Sequence, residues 1–214
     1  MPIRKLSPAP KRALQDKARQ VRTDLYREHI LEVAEQVFAE RGFEAAKLQD
    51  IGAQAGVSMG TIYAVFPSKE DLFRAILDLR GNDILVAARA AVDAQRDPRA
   101  ALDRLIDAYL DFFIAHPHFL RMHLRHGSSW VLGPSQGSEG QVQLWADIHA
   151  LQTDLMRRGI KAGVFVAEEP SFLAKLFSAV DQVLLADWVA GGMKASRDAL
   201  VARMRGLVAR IIQK

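Results

Sequence analysis

Residues 48–66 contain two short helical patterns separated by a glycine, and this stretch constrains the fold more than any other. Ile51 and Ala55 lie four residues apart, so they share one face of a first helix. Gly56 tolerates the left-handed conformation of a sharp turn, and Ser58 is a good N-cap for a second helix. These spacings predict a helix-turn-helix, a motif whose second helix fits the major groove of DNA. A plain helical hairpin is the alternative.

The second helix of this stretch is predicted over residues 59–65. Ile62 and Phe66 lie four residues apart and are expected on its inner face. Gly52 is expected where the two helices approach most closely, because a side chain there would push them apart.

Composition limits the possible classes of protein. The chain has 214 residues, half of them hydrophobic and a quarter charged, which is ordinary for a globular protein. It has no cysteine, so disulfides, thiolate chemistry and cysteine-based zinc sites are excluded. No apolar run approaches the ~18 residues needed to span a membrane, and the N-terminus lacks the apolar core of a signal peptide. We therefore expect a cytoplasmic protein with no membrane partner.

The positive charge is concentrated at the N-terminus. Residues 1–22 hold seven Lys or Arg and one acid, Asp16, which gives them a net charge of +6 against +4 for the whole chain. With three prolines in the first ten residues, this segment is predicted to be a flexible basic arm over residues 1–21. Such an arm raises affinity for any polyanion, although a solubilising tail is the alternative.

Glycine, proline and N-cap residues divide the rest of the chain into helices. The chain is predicted to be all-α with about nine helices and no convincing strand. The predicted helices cover approximately residues 23–40, 48–55, 59–65, 69–95, 98–115, 117–125, 141–161, 170–190 and 197–214.

The last two helices are apolar on more than one side. Such helices are either central in the core or shared with another subunit. The residues predicted to form a dimer interface are Phe177, Val180, Leu184, Trp188, Met204, Leu207 and Ile211.

Residues 30–77 resemble the N-terminal domain of the TetR family of transcriptional regulators. The matching segments read FAERGFEA (38–45), DIGAQAGVSMGTIY (50–63) and FPSKEDLF (66–73). The resemblance implies a helix-turn-helix DNA-binding domain over residues 22–68 and a helical effector-binding and dimerisation domain over residues 69–214. It also implies a homodimeric repressor that binds palindromic operator DNA and is released by a small molecule.

The resemblance assigns DNA contacts residue by residue. Tyr63 corresponds to a residue that contacts phosphate or a base edge, Thr61 to a phosphate donor, and Lys69 to a phosphate-binding lysine at a helix start. Lys47 stands where the family usually has a Thr or Ser cap, and Ala64 and Val65 replace an aromatic or His pair. The predicted DNA-contacting residues are Lys47, Ser58, Met59, Gly60, Thr61, Tyr63 and Lys69.

Aromatic and histidine residues in the second half of the chain suggest an effector pocket, since such pockets are mostly apolar with few polar anchors. They are equally typical of a helical core. The residues predicted to bind the effector are Tyr109, Phe113, His116, Arg121, His123 and Trp145.

A histidine cluster supports an alternative function. His116, His118, His123 and His126 lie within eleven residues, so an all-α metal-dependent or enzymatic protein is the second hypothesis. A non-responsive DNA-architectural protein is the third. The spacing matches no zinc motif, and histidines on a short helix or lining a cavity are the favoured interpretation. No catalytic triad, phosphate-binding glycine loop or carboxylate pair stands out, so we expect no enzymatic activity, catalytic residue, metal or cofactor.

Overall fold

A computed structural model describes residues 8–127, 129–133 and 138–214. Over these residues the chain forms nine α-helices and, apart from an isolated bridge between Phe165 and Gln213, no β-structure. The all-α prediction is therefore confirmed. The helices are α1 (Pro8–Ala45), α2 (Leu48–Gln54), α3 (Met59–Val65), α4 (Lys69–Asp93), α5 (Pro98–Ala115), α6 (Pro117–Arg125), α7 (Glu139–Lys161), α8 (Pro170–Ala190) and α9 (Arg197–Ile211).

The beginning of α1 differs from the sequence prediction. Residues 8–21 are helical, whereas a flexible arm was expected there; residues 1–7 lie outside the described residues. Pro8 and Pro10 fall in the first turn of the helix, where the missing N–H has no intrahelical partner and proline is tolerated. The residues that follow are mostly Ala, Leu, Gln, Lys and Arg, which are strong helix formers. Gly42, with φ of +80°, interrupts the helix near its end.

The chain divides into two compact units, Met1–Ala75 and Ile76–Lys214. In the first unit, an aromatic cluster joins α1 to the start of α4. The ring centroid of Phe73 lies 5.2 Å from that of Phe38 and 5.0 Å from that of Phe43. Ile51 and Ile62, both fully buried, attach α2 and α3 to the same core. This packing holds two short helices that would be marginal by themselves.

The second unit is built around α5. Its apolar face is buried against α7 and α9, and α8 packs against both of those helices. A proline at the first helical position begins α5, α6 and α8, as the sequence predicted. None of the helices in the described part of the chain is long and apolar enough to cross a membrane.

Candidate functional site

The turn between α2 and α3 has the predicted geometry. Gly56 adopts a φ of +65°, and the Val57 amide donates a 3.0 Å hydrogen bond to the Gly52 carbonyl. The Ser58 hydroxyl accepts a 3.1 Å hydrogen bond from the Thr61 amide and so caps α3. The predicted helix-turn-helix is therefore confirmed, with α3 as its second helix.

Gly52 lies at the closest approach of the two helices. A Cβ atom at this position would lie 3.3 Å from the Val57 carbonyl oxygen and 3.4 Å from Cδ1 of Ile62. The first contact is tighter than most Cβ contacts, so even a methyl group would require a shift of a few tenths of an ångström, and a larger side chain would separate α2 from α3. The absence of a side chain at Gly52 thus sets how α3 is presented.

Two contacts from α1 that the sequence did not predict also fasten the motif. A ring nitrogen of His29, Nε2, lies 3.2 Å from the Ala55 carbonyl oxygen at the C-terminal end of α2. The Arg27 guanidinium lies 4.7 Å from the centre of the Phe66 ring, directly after α3. Pairs so far apart in sequence carry no local signal, which is why pattern reading missed them.

The outer surface of α3 carries the residues expected to meet DNA. Tyr63 is 53% exposed, and Gly60 and Lys47 are also exposed. Thr61 is half-buried, and its hydroxyl lies 3.0 Å from the Ser58 hydroxyl. Met59 is half-buried and points towards Gly52, so α3 presents few hydrogen-bonding side chains. Lys47 occupies the N-cap position of α2, and its side chain makes no capping hydrogen bond to this helix.

Lys69 has a different environment from the one predicted. Its Nζ atom donates to the carbonyl oxygens of Phe43 (2.7 Å), Ala46 (3.2 Å) and Glu44 (3.3 Å), and it lies 4.4 Å from the centre of the Phe43 ring. An ammonium group has three N–H donors, and these three acceptors use all of them. The side chain therefore stabilises the C-terminal end of α1, where the helix dipole attracts a cation.

The second unit encloses a cavity of about 500 Å³ between its helices, which is within the size range of small-molecule sites. Four of the six predicted effector residues line it: Tyr109, Phe113, His123 and Trp145. His116 and Arg121 are not among the residues that line this cavity. His116 instead lies between α5 and α6, with its ring 4.8 Å from that of Phe112.

Aromatic rings form much of the cavity wall. Phe113 stacks on Trp130 with ring centroids 5.1 Å apart and planes within 10° of parallel. On the opposite helix, Trp145 stacks on His149 at 5.1 Å. The Trp145 indole N–H donates a 3.1 Å hydrogen bond to the Trp130 carbonyl, which fixes the loop after α6 against α7. The wall is therefore a set of mutually supported rings.

A buried polar network crosses the cavity floor. The Gln152 amide donates to the Tyr109 hydroxyl at 3.1 Å, and the Ser178 hydroxyl donates to the Gln152 carbonyl oxygen at 3.0 Å. Burial raises the pKa of Tyr109, so its phenol stays protonated.

Asp181 of α8 also lines the cavity and was not predicted. Its side chain is only 3% exposed, and burial raises the pKa of its carboxyl to about 7. The available signal was an acid spaced three residues from Ser178 in a helix otherwise rich in apolar residues. The pattern indicates a buried acid only when the face of α8 that carries Ser178 is known to point inward.

His123 contributes a neutral ring to the cavity. Burial, and to a lesser extent His126, lower its pKa to about 4. Its Nδ1 atom and the Trp130 indole nitrogen are buried without a hydrogen-bond partner within the described residues. In the same part of the chain, no group of three or more His, Cys, Asp or Glu residues is arranged to hold a metal ion.

Four of the seven predicted interface residues lie inside the protomer. Phe177, Leu184, Met204 and Trp188 are at most 9% exposed, so their side chains belong to the protomer's own core. Val180 and Leu207 are half-buried, and Ile211 is exposed. These helices are apolar on two sides, as predicted, but the residues predicted to face the partner are mostly those that face the interior of the protomer.

Residues 30–76 match a family described as "Bacterial regulatory proteins, tetR family". This region of the chain is therefore a TetR-type DNA-binding domain. It is 34% identical over 89 residues to the HTH-type transcriptional activator FasR of Mycolicibacterium smegmatis, a match that covers 42% of this chain and 41% of FasR. It is 25% identical over 195 residues to the HTH-type transcriptional repressor SCO4008 of Streptomyces coelicolor, a match that covers 86% of this chain and 94% of the repressor. The metal-dependent or enzymatic alternative is not favoured, because these TetR-type relatives are named as regulators.

Solved structures of bacterial regulators share the fold of nearly the whole chain. The fatty acid degradation regulator FadR of Bacillus halodurans superimposes with a TM-score of 0.72 at 21% identity, over 86% of this chain and 94% of FadR. A putative transcriptional regulator of Saccharomonospora viridis in complex with choline gives a TM-score of 0.70 at 24% identity, over 88% of this chain and 97% of that regulator. Both likenesses show the fold alone.

Proposed function

We propose that this protein is a dimeric transcriptional repressor that binds palindromic operator DNA and is released by a small molecule. The observation that carries the proposal is the combination of an exposed, capped α3 in one unit with a largely apolar 500 Å³ cavity in the other. FasR, matched over 41% of its length, is named an activator, whereas the relative matched over 94% of its length is named a repressor; the longer match supports repression. A FadR of Bacillus subtilis in complex with stearoyl-CoA and the choline complex support a small-molecule ligand for this protein. Such a regulator acts in the cytoplasm, where operator DNA is found.

In the proposed complex, α3 enters the major groove with its N-terminal end first. Tyr63, Thr61 and Lys47 contact phosphates, while Met59 and Gly60 meet base edges through apolar contact or shape. Neither Met nor Gly makes a bidentate hydrogen bond to a base, so shape and thymine methyl groups carry much of the specificity.

At Ser58 and Lys69, we expect the backbone to contact DNA in place of the side chain. Ser58 contributes through its backbone, since its hydroxyl already caps α3. At the start of α4, the proposed phosphate contact is made by backbone N–H groups, because the Lys69 ammonium is used within the protein.

The proposed dimer interface uses the outer face of α8 and part of α9. Phe172 and Val183 are 49% and 69% exposed, and their spacing of eleven residues places them on one side of α8. Ile211 of α9 is 38% exposed. Isolated apolar side chains on a surface are common, but three on adjacent helices of a regulator fit a self-complementary two-fold contact.

The test of the DNA-binding function is operator selection from fragmented genomic DNA, followed by titration of the selected site. Tyr63→Ala should weaken operator binding about tenfold, because it removes an exposed side chain from the groove-facing helix. Val86→Ala is the matched control, since it truncates a side chain that is 68% exposed in the other unit. Equal operator affinity for Tyr63→Ala and wild type at several salt concentrations would show that α3 does not contact DNA as proposed.

A further inference from the structure

Building on the proposed function, we infer that the effector is an organic cation, with a quaternary or protonated ammonium (or similar) group on an apolar body, and that Asp181 is its counter-ion. The inference rests on the charges that line the cavity, the environment of Asp181, and the chemistry of the surrounding rings.

The charges among the described residues that line the cavity do not suit an anion. Asp181 is the one carboxylate among the described lining residues, and none of those residues is Lys or Arg. Burying an anionic ligand beside Asp181 without a cation would be costly. The charge of the cavity therefore favours a positive ligand.

No salt bridge or hydrogen bond within the described part of the chain compensates the Asp181 carboxylate. Along the floor, Ser178 donates to Gln152 and Gln152 donates to Tyr109, and neither of these bonds reaches Asp181. None of the hydrogen bonds found among the described residues ends on the Asp181 carboxylate. A buried carboxylate with free acceptor sites is stabilised most by a cation that brings both charge and hydrogen bonds.

The cavity wall is suited to the same kind of ligand. Five aromatic residues line it, and the faces of Trp, Tyr and Phe rings attract a cation within about 6 Å of the ring centre. Three histidines also line the cavity, and a charged imidazole would oppose a cation. Burial lowers the pKa of His123 to about 4 and also lowers the pKa of His149, which favours their neutral forms. The volume of about 500 Å³ accommodates a sizeable apolar body in addition to the charged group.

The test uses full-length protein and ions of matched shape and opposite charge. Tetraphenylphosphonium and tetraphenylborate have nearly the same size, and benzyltrimethylammonium provides a smaller cation. Binding is followed by quenching of tryptophan fluorescence, because Trp130 and Trp145 line the cavity. At least one cation should bind, and tetraphenylborate should bind at least about tenfold more weakly than tetraphenylphosphonium. Equal or tighter binding of the anion, or no binding of either cation up to about 1 mM, would overturn the inference.

Two variants connect the binding to Asp181. Asp181→Asn keeps the shape of the side chain and should weaken cation binding at least about tenfold. It should not weaken the binding of tetraphenylborate. Asp154→Asn removes a carboxylate from the exposed face of α7 and should leave both affinities unchanged. A change of less than about twofold for Asp181→Asn would exclude it as the counter-ion.

Operator titration with the same preparation separates the two proposals. Protein that binds operator DNA but neither cation contradicts the effector class alone. Protein that binds cations through Asp181 but selects no DNA contradicts the regulatory function and leaves the ligand class intact.

Discussion

The variant Asp181→Asn tests the buried carboxyl without any ligand, because it should alter the pH dependence of stability. Burial raises the pKa of Asp181 to about 7 in the folded protein, whereas the pKa of an aspartate in the unfolded chain is about 3.9. Between these values the folded protein holds a proton that the unfolded chain has lost. The stability contributed by this group is therefore complete below about pH 4 and is lost as the pH rises to about 7. Asparagine has no such proton, so the variant escapes this loss.

The size of the effect follows from the two pKa values. Each unit of difference corresponds to about 1.4 kcal/mol, and most of the difference accumulates between about pH 4 and about pH 7. Relative to wild type, Asp181→Asn should gain roughly 2–3 kcal/mol in free energy of unfolding at about pH 8 compared with about pH 5.

Urea denaturation followed by tryptophan fluorescence is the suitable assay, because Trp130, Trp145 and Trp188 all belong to the unit Ile76–Lys214. Asp154→Asn should show no such pH-dependent difference, since its carboxylate is well exposed. If the difference between Asp181→Asn and wild type is the same at both pH values, the Asp181 carboxyl titrates normally. The cavity would then contain a well-solvated carboxylate, and the reasoning that it needs a cation would be refuted.

Three further outcomes are expected. Tetraphenylphosphonium should bind more tightly as the pH rises through about 7, because ionised Asp181 attracts a cation; a fluorescence titration that shows weaker binding at higher pH would contradict this. Val183→Glu should shift the protein from dimer to monomer in light scattering, because it places a charge on the exposed face of α8, and a variant that stays dimeric would remove that face from the interface. Lys69→Met keeps the apolar stem but removes three hydrogen bonds, so it should lower the free energy of unfolding by about 1–3 kcal/mol in circular dichroism melts. A different pair of results would place the ammonium on a DNA phosphate: unchanged melting of this variant, together with operator binding whose dependence on salt concentration falls by about one released ion. The other titratable groups lining the cavity, which the pH titration must take into account, are Tyr109, His123, His126 and His149.

Local signals account for most of what the sequence predicted correctly. Proline at a first helical position and a hydroxyl cap such as Ser58 or Ser196 mark a boundary regardless of the rest of the fold. The start of α1 was missed because Pro8 and Pro10 were read as helix breakers, although a first turn tolerates them.

The errors at the cavity and the interface have a common cause. A helix that is apolar on two sides does not reveal which side faces inward, and α8 is such a helix. Leu184 was therefore assigned to a partner although it is buried in the protomer, and Asp181, on the inner face of the same helix, was overlooked. His29 and Lys69 illustrate the other limit, since their acceptors are more than twenty residues away along the chain.

The position of the Lys69 ammonium has a consequence for the thermodynamics of DNA binding. A cation that already neutralises three carbonyl dipoles at the end of α1 does not displace a counter-ion from DNA when the complex forms. The entropy of ion release therefore comes from fewer side chains than the number of lysines and arginines in the first unit implies. We expect the affinity of this protein for its operator to depend less steeply on salt than its charge suggests, and therefore to be retained better at high ionic strength.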